Sequence, residues 1–543
     1  MSTPTATPAA YTRRPSCAPG TEIHPPMGDD GGQWVLQKGP RYIRVGASVA
    51  RLAERMDGQR DHADLAEVLG RPWSEALVSR TVQQLDDLGL IDRGDTAAPR
   101  RPSRMKIVPP FTLQLTLLRP GPTMQRMRPF FSLIANRFVV LAAVLVAVAG
   151  FAALAVRSGE VTRVLGEPLP ATTYVGVLLG LVVGTSIHEL GHAATLIHYG
   201  GRPSRIGVML FYLMPAFFCD VSDSWRLPHR NQRVRVALAG PAVQTFLAGA
   251  AALAVLVTEP SGFRDGLLFF AVGGYVTGAL NLLPFVKLDG YLALMTRIDV
   301  PYLRDRATGD ARRAVARLLF GGTYQRELTS RWTTLYGLAC LCFPLYLLST
   351  ALTVWIGVLQ RGGILGLLLV LCGFLYALYF LVRGGRRLAR EVRAAGAARW
   401  RVLTVTAALA AGLGALAFVP QPYAVQAAYV TRDGAVELVL LDGSDAAGIE
   451  AGQRVELLRN GAVLHTRVGA AAVTTGQGTA GTAPLSSFFP VTLAAEPDLP
   501  VTGYALTLTP GERPDAESGA ARVLVGDLPL WEVVYRGYLK PFL

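Results

Sequence analysis

Apolar residues along this chain fall into three regimes. In the middle they run nearly unbroken, over residues 138–156, 174–199, 234–257, 266–286, 333–357, 364–382 and 402–419. Each run is long enough to cross about 30 Å of hydrocarbon as a helix rising about 1.5 Å per residue, so the pattern predicts about seven membrane spans. The run from Ile206 to Phe218 is shorter and holds Pro215, which predicts a re-entrant or interfacial hairpin. After residue 420 the apolar positions alternate in short stretches such as "RVELLRNGAVLHTRV", separated by Gly, Asp and Asn, which predicts a β-rich domain over 420–543. Before the first span, residues 33–99 show mixed periods. Trp34 to Leu36 and Tyr42 to Val45 flank "QKGPR" like a hairpin, and three helices follow with Ser48, Asp61 and Ser74 as N-caps. That order is a winged helix-turn-helix arrangement. Residues 1–32, rich in Pro, Thr and Gly, are expected to be a disordered tail, and 100–137 a basic juxtamembrane linker. The predicted fold class is therefore a polytopic α-helical membrane protein over 138–419, with a small N-terminal winged helix α/β domain and a C-terminal β domain.

Composition agrees with this division. Of the 543 residues, 51% are hydrophobic and only 17% charged, and the mean hydropathy is +0.34. The net charge of +14 admits nucleic acid, an anionic membrane or basic inner loops as its cause. Its distribution decides between them. With a cytosolic N-terminus, the segments 100–137, 200–233, 287–332 and 383–401 hold 29 Lys and Arg, against 4 in the short loops of the opposite side. This asymmetry predicts an inner orientation for the first domain and an extracytoplasmic one for 420–543, which has 8 basic and 13 acidic residues. Residues 33–95 have 9 basic and 10 acidic residues, with only Arg80 as a basic group along the third helix. No phosphate-binding face is left, so no nucleic acid is expected; a peptide added to the hairpin edge is the expected ligand. The five cysteines are scattered and imply no disulfide framework. The N-terminus carries no apolar core, so no secretory signal peptide is expected.

The chemistry lies in "SIHELGHAATLIHYG", residues 186–200. His188 and His192 are four apart, so on a helix both imidazoles share a face and can occupy two corners of a tetrahedral zinc site. Glu189 is placed to take a proton from the attacking water and pass it to the leaving amine. Each such polar group inside a span costs about 2–3 kcal/mol if unpaired, so the trio has a function. His198 has the spacing of a third ligand in soluble zinc proteases, but those turn the chain at a glycine, and here Thr195 holds that position. On an unbroken helix His198 lies about 280° around from His188 and about 9 Å or more beyond His192. The third ligand is instead expected at Asp289, in "NLLPFVKLDGY", where Pro284 breaks the fourth span near the same membrane depth.

These motifs resemble the site-2 protease family of intramembrane zinc metalloproteases. The resemblance covers residues 174–292 through His188-Glu189-x-x-His192, Ala239-Gly240-Pro241 and Asn281-x-x-Pro284-x-x-x-Leu288-Asp289-Gly290. It implies Zn2+ on His188, His192 and Asp289, general acid/base catalysis by Glu189, and substrate binding by Asn281, Gly240 and Pro241. Gln244, Leu282 and Lys287 depart from the commonest pattern and leave the substrate contacts less defined. Residues 219–241 are similar to the bacterial branch that matures ribosomally synthesised modified peptides, daptides among them; there Asp220, Asp223 and His229 are loop architecture. The N-terminal domain resembles the leader-peptide chaperone of pyrroloquinoline quinone biosynthesis. The resemblance implies a multi-pass protein of the bacterial cell membrane that removes the leader from a precursor peptide, its partners being that peptide, the lipid bilayer and, for an oligomer, a second copy. Two other functions fit the same motifs: regulated intramembrane proteolysis of a membrane-anchored signalling factor, and a non-catalytic peptide export or immunity protein.

Overall fold

The computed structural model describes residues 14–26, 34–38, 41–93, 104–108, 112–120, 122–211, 214–361, 363–432, 434–441, 449–538 and 540. The chain divides into two compact units, one of residues 1–141, 185–243 and 287–301, the other of 142–184, 244–286 and 302–543.

In the first unit, strands β1 (Thr21–His24), β2 (Trp34–Lys38) and β3 (Arg41–Val45) form an antiparallel sheet in that order. Helices α1 (Ala47–Arg55), α2 (His62–Leu69) and α3 (Glu75–Asp87) follow. Leu36, Leu52, Leu65, Val78, Val82, Leu85 and Leu90 form their common core. Asp61 caps α2 in a reciprocal capping box with Asp64, and the Ser74 hydroxyl accepts from the Leu77 N–H at the start of α3. The first cap differs from expectation: Gly46 occupies that position without a side-chain bond, and Ser48 lies inside the first turn. The expected disordered tail also differs, because Thr21–His24 is a strand. Ile23 packs on the core and the Cys17 thiol donates to the Ala53 carbonyl, contacts that outweigh a composition poor in apolar residues. Residues 1–13 and 27–32 of that stretch lie outside the described residues.

The expected linker 100–137 contains further structure. β4 (Met105–Val108) and β5 (Thr112–Leu118) join β7 (Ile206–Phe211) and β8 (Met214–Cys219) in an antiparallel sheet of order β4-β5-β7-β8. The predicted hairpin at 206–218 is thus β7 and β8, with Pro215 on an edge strand, where its missing N–H costs least. The β5 sequence "TLQLTLL" alternates in a way that a charged flank obscured. Helix α4 (Arg128–Ile134) leads from this sheet to the apolar helices.

Those helices are α5 (Arg137–Val156), α6 (Ala171–His198), α7 (Arg230–Ala254), α8 (Gly262–Asn281), α9 (Asp289–Ile298), α10 (Leu303–Phe320), α11 (Trp332–Arg361), α12 (Gly363–Ala394) and α13 (Arg399–Ala417). Among the described residues, six helical stretches are long and apolar enough to span a membrane, at 137–156, 171–198, 230–257, 332–350, 364–394 and 399–417. By length and composition this is a multi-pass membrane protein. α8 matches the remaining expected span in length but not in apolarity, because Arg264 and Asp265 sit in its first turns and Gly273, Gly274 and Gly278 dilute the rest.

In the second unit, β9 (Pro420–Arg432), β10 (Ala435–Leu441), β11 (Arg454–Leu458), β12 (Arg467–Val473), β13 (Thr479–Pro484), β15 (Asp498–Leu508) and β16 (Ser518–Pro529) form one sheet of order β10-β9-β16-β11-β12-β15-β13. An extra pairing of β10 with β15 closes it into a barrel-like domain. Tyr429, Leu438, Val455, Leu457, Ala521 and Val523 fill its interior, each on an alternating strand. The two-residue strands β6 (Leu169–Pro170) and β14 (Val491–Thr492) pair in parallel at its margin.

Candidate metal centre

The site is built on α6, which runs without interruption from Ala171 to His198. The four-residue spacing puts His188 and His192 on one face, and both are 4% exposed. Their Nε2 atoms are 3.3 Å apart, with the rings nearly perpendicular at 77°. Asp289, the first residue of α9, brings Oδ2 to 3.2 Å from His188 Nε2 and Oδ1 to 3.2 Å from His192 Nε2.

Whether these groups suit zinc is a question of edge lengths. Ligands about 2.0–2.1 Å from a tetrahedral Zn2+ are about 3.3 Å from one another. The separations of 3.2–3.3 Å match that edge. The donors are also correctly disposed. His192 Nδ1 donates to the Val236 carbonyl at 2.8 Å, which leaves Nε2 as the atom with a lone pair facing Asp289. His188 Nδ1 is buried with no such partner among the described residues. Two imidazoles and a carboxylate form a donor set that borderline cations such as Zn2+ accept, and among the described residues these three are the group whose ligand atoms converge.

The space in front of the imidazoles is kept by Gly240 on α7. A Cβ there would lie 2.3 Å from His192 Nε2 and 2.5 Å from His188 Nε2, so no side chain fits. Gly191 does the same one turn away, where a Cβ would stand 3.2 Å from the Ala239 carbonyl oxygen. Two glycines therefore let α6 and α7 approach until a backbone carbonyl of one orients a histidine of the other. Pro241 lies inside α7 directly after Gly240.

Glu189 is partly buried beside both histidines and Asp289, and it lies against the backbone of Cys219 at the end of β8. The β7–β8 hairpin thus walls the site on the Glu189 side. His198 faces elsewhere: its Nδ1 is 3.0 Å from the Ser132 hydroxyl of α4. The loop acids are structural. Asp220 accepts from Arg205 at 3.0 Å and from the Ser222 hydroxyl at 2.6 Å. Asp223 accepts from the Arg202 N–H at 2.7 Å and from Arg226 at 3.2 Å.

The structure therefore brings together His188, His192, Asp289, Glu189 and Gly240. Asn281, the last residue of α8, belongs to the second unit. There the Pro284 carbonyl accepts from the Tyr336 hydroxyl at 2.7 Å, and the Phe285 carbonyl from Arg304 at 3.1 Å, so α10 and α11 hold the turn after Asn281. Sequence reasoning missed the Val236 carbonyl, which has no side-chain signature, and these two anchors.

No protein-family model matches the chain, and no solved structure matches it. A protein of Bacillus subtilis (strain 168), YydH, is 27% identical over 129 residues, 23% of this chain and 49% of that protein. Its name gives it, as a provisional assignment, the activity of a peptide zinc metalloprotease. The chain spans about half the length of this relative. Over that part the chain is similar to a protein named for zinc-dependent peptide cleavage, and its described residues hold two buried histidines and a partly buried carboxylate placed as a metal site would need, in a chain with six helices apolar enough to span a membrane.

Proposed function

We propose that this protein is an intramembrane zinc metalloprotease of the site-2 type, which hydrolyses a peptide bond at the cytosolic face of a bacterial cell membrane. The observation that carries the reading is the convergence of His188, His192 and Asp289 at 3.2–3.3 Å with Glu189 beside them, the two histidines and Glu189 on a helix long and apolar enough to span a bilayer. Zinc bound there would supply Lewis acidity, polarising a scissile carbonyl and acidifying water. The chain's own residues do the rest. His192 is held in one tautomer by Val236, and Gly240 leaves the face of both imidazoles open. Glu189 takes the proton of the attacking water and delivers it to the departing amine. Burial of the histidines and the β7–β8 wall excludes bulk solvent while this happens.

The finer reading is leader removal from a ribosomally made modified peptide, with the N-terminal sheet and helices acting as a winged-helix peptide-recognition domain. It is supported by that domain's balanced charge and by its place in the same compact unit as the metal cluster. In this reading the chain has seven spans including α8, a cytosolic N-terminus and an extracytoplasmic β domain. Asn281 holds the substrate strand. Replacing Glu189 by Gln should leave zinc content unchanged and lower cleavage of a precursor peptide by at least about a hundredfold, the contribution of a general acid/base. Cleavage at the parental rate by zinc-loaded Glu189→Gln protein would refute the assignment.

A further inference from the structure

The N-terminal sheet meets the metal-bearing part of its unit at a polar junction. A cleft of about 350 Å³ lies there, lined by Glu22, His24 and Gln37 from the sheet and by Arg202, Asp223 and Arg226 from the loops beside α6 and α7. That volume falls in the range of small-ligand and peptide pockets. The 3₁₀ turn Ser222–Arg226 supplies Asp223 and Arg226 to the cleft, and on the other side it supplies Trp225, over which the Arg44 guanidinium of β3 sits at 5.4 Å.

Positive charge is in excess beside that tryptophan. Arg44 and Arg233 both point at a single oxygen, Oδ1 of Asp299, at 3.6 Å and 3.9 Å, too far for hydrogen bonds. Asp299 itself is half exposed, whereas Arg233 is 7% exposed. Arg230 adds a third positive charge within electrostatic reach of Arg233. Arg233 Nη1 donates to the Leu227 carbonyl at 2.8 Å, but Arg233 Nε and Arg44 Nη2 are buried with no hydrogen-bond partner among the described residues. A buried guanidinium and a partly exposed one that share one remote carboxylate are under-neutralised, an arrangement that costs stability unless another anion completes it. Asp299 holds its place from a left-handed backbone conformation at the end of α9, φ 59°, where an aspartate is tolerated and a bulkier residue is not.

We propose that Arg44 and Arg233 form a subsite for an acidic side chain of the peptide substrate, with Asp299 standing in its place when the peptide is absent. This rests on the reading of the protein as a peptidase, and it adds a substrate class: a peptide with an Asp or Glu that lies along β3, on the Trp225 side of the Ser222–Arg226 turn. A peptide rather than a lipid is the fitting occupant, because Arg44 is on the outer strand of the sheet, where an added strand brings side chains alongside it.

Binding, not cleavage, tests the subsite, so its failure is separable from failure of the protease reading. Full-length Glu189→Gln protein in phosphatidylcholine nanodiscs would be panned against an mRNA-displayed library of random peptides. Enrichment of Asp or Glu at one position is expected, and an enriched peptide should bind about tenfold tighter than its Asn or Gln twin, the scale of one charge-assisted pair. Arg44→Gln should erase the acidic preference, Arg44→Lys should keep part of it, and Asp299→Asn should strengthen it, all with zinc content unchanged. No acidic enrichment, or enrichment that survives Arg44→Gln, would overturn the proposal. So would loss of the preference in phosphatidylglycerol discs for the parent with no lipid effect in Arg44→Gln, since the pair would then be holding a headgroup phosphate.

Discussion

The metal-bearing helices and the C-terminal barrel bury their residues for opposite reasons. In the barrel, Tyr429, Leu438, Leu457 and Val523 are buried because alternating strands turn apolar side chains inward, and each contributes by area. Between α6 and α7 the buried positions that matter are His188, His192 and Gly240, which contribute almost no apolar area. What they supply is proximity and orientation. A barrel core tolerates a change of volume at a graded cost, whereas a site made of glycines against imidazoles does not tolerate an added methyl group at all.

The largest expected effect is therefore at the smallest residue. Gly240→Ala places a Cβ 2.3 Å and 2.5 Å from the Nε2 atoms of His192 and His188, so zinc content measured by atomic emission should fall by at least about an order of magnitude, on the scale of losing a ligand's support. The barrel, followed by its β circular dichroism on heating, should melt as in the parent. Leu457→Ala inverts the result. Leu457 is fully buried in the barrel core, so its truncation should destabilise that domain by about 2–5 kcal/mol and leave zinc content untouched. If either variant moved both readouts together, the two regions would not be independent as this comparison holds.

A smaller effect comes from Asp310 on α10, in the second unit. Burial alone would push its carboxyl up, but the Arg313 guanidinium and the backbone N–H groups of Glu327 and Leu328 outweigh it and hold it below the ordinary carboxylate value. A folded-state value below the unfolded one, about 3.9, stabilises the fold above that pH, and the gain is lost as the pH falls through the folded value. Thermal unfolding of the parent should therefore become easier as the pH is lowered below about 4. Asp310→Asn should be less stable at neutral pH by about 1–3 kcal/mol, the cost of weakened buried hydrogen bonds, and should lose part of that acid dependence.

Much of the site was legible from residues alone, because helical spacing is a strict rule. Four residues between His188 and His192 and the absence of a glycine at Thr195 sufficed to direct attention from His198 to Asp289. The helix does run on to His198, which meets Ser132. The rest was hidden for definite reasons. Val236 orients His192 through a carbonyl, which every residue has, so no side chain announces it. Gly240 was read for its motif, and its closeness to both imidazoles depends on the packing of α7 against α6. β1 packs on a core supplied by the helices that follow it, and β5, which carries β4, pairs with β7 some 90 residues on, whereas local composition argued for a tail and a linker instead. The barrel's alternation was plain, but its closure by β10 and β15 is a pairing that periodicity does not encode.

The central claim is that His188, His192 and Asp289 together hold one zinc ion. The most direct measurement is zinc stoichiometry of full-length protein purified in parallel as parent, Asp289→Ala and His198→Ala. Loss of zinc in Asp289→Ala with full retention in His198→Ala is the result predicted; retention in Asp289→Ala with loss in His198→Ala would contradict it.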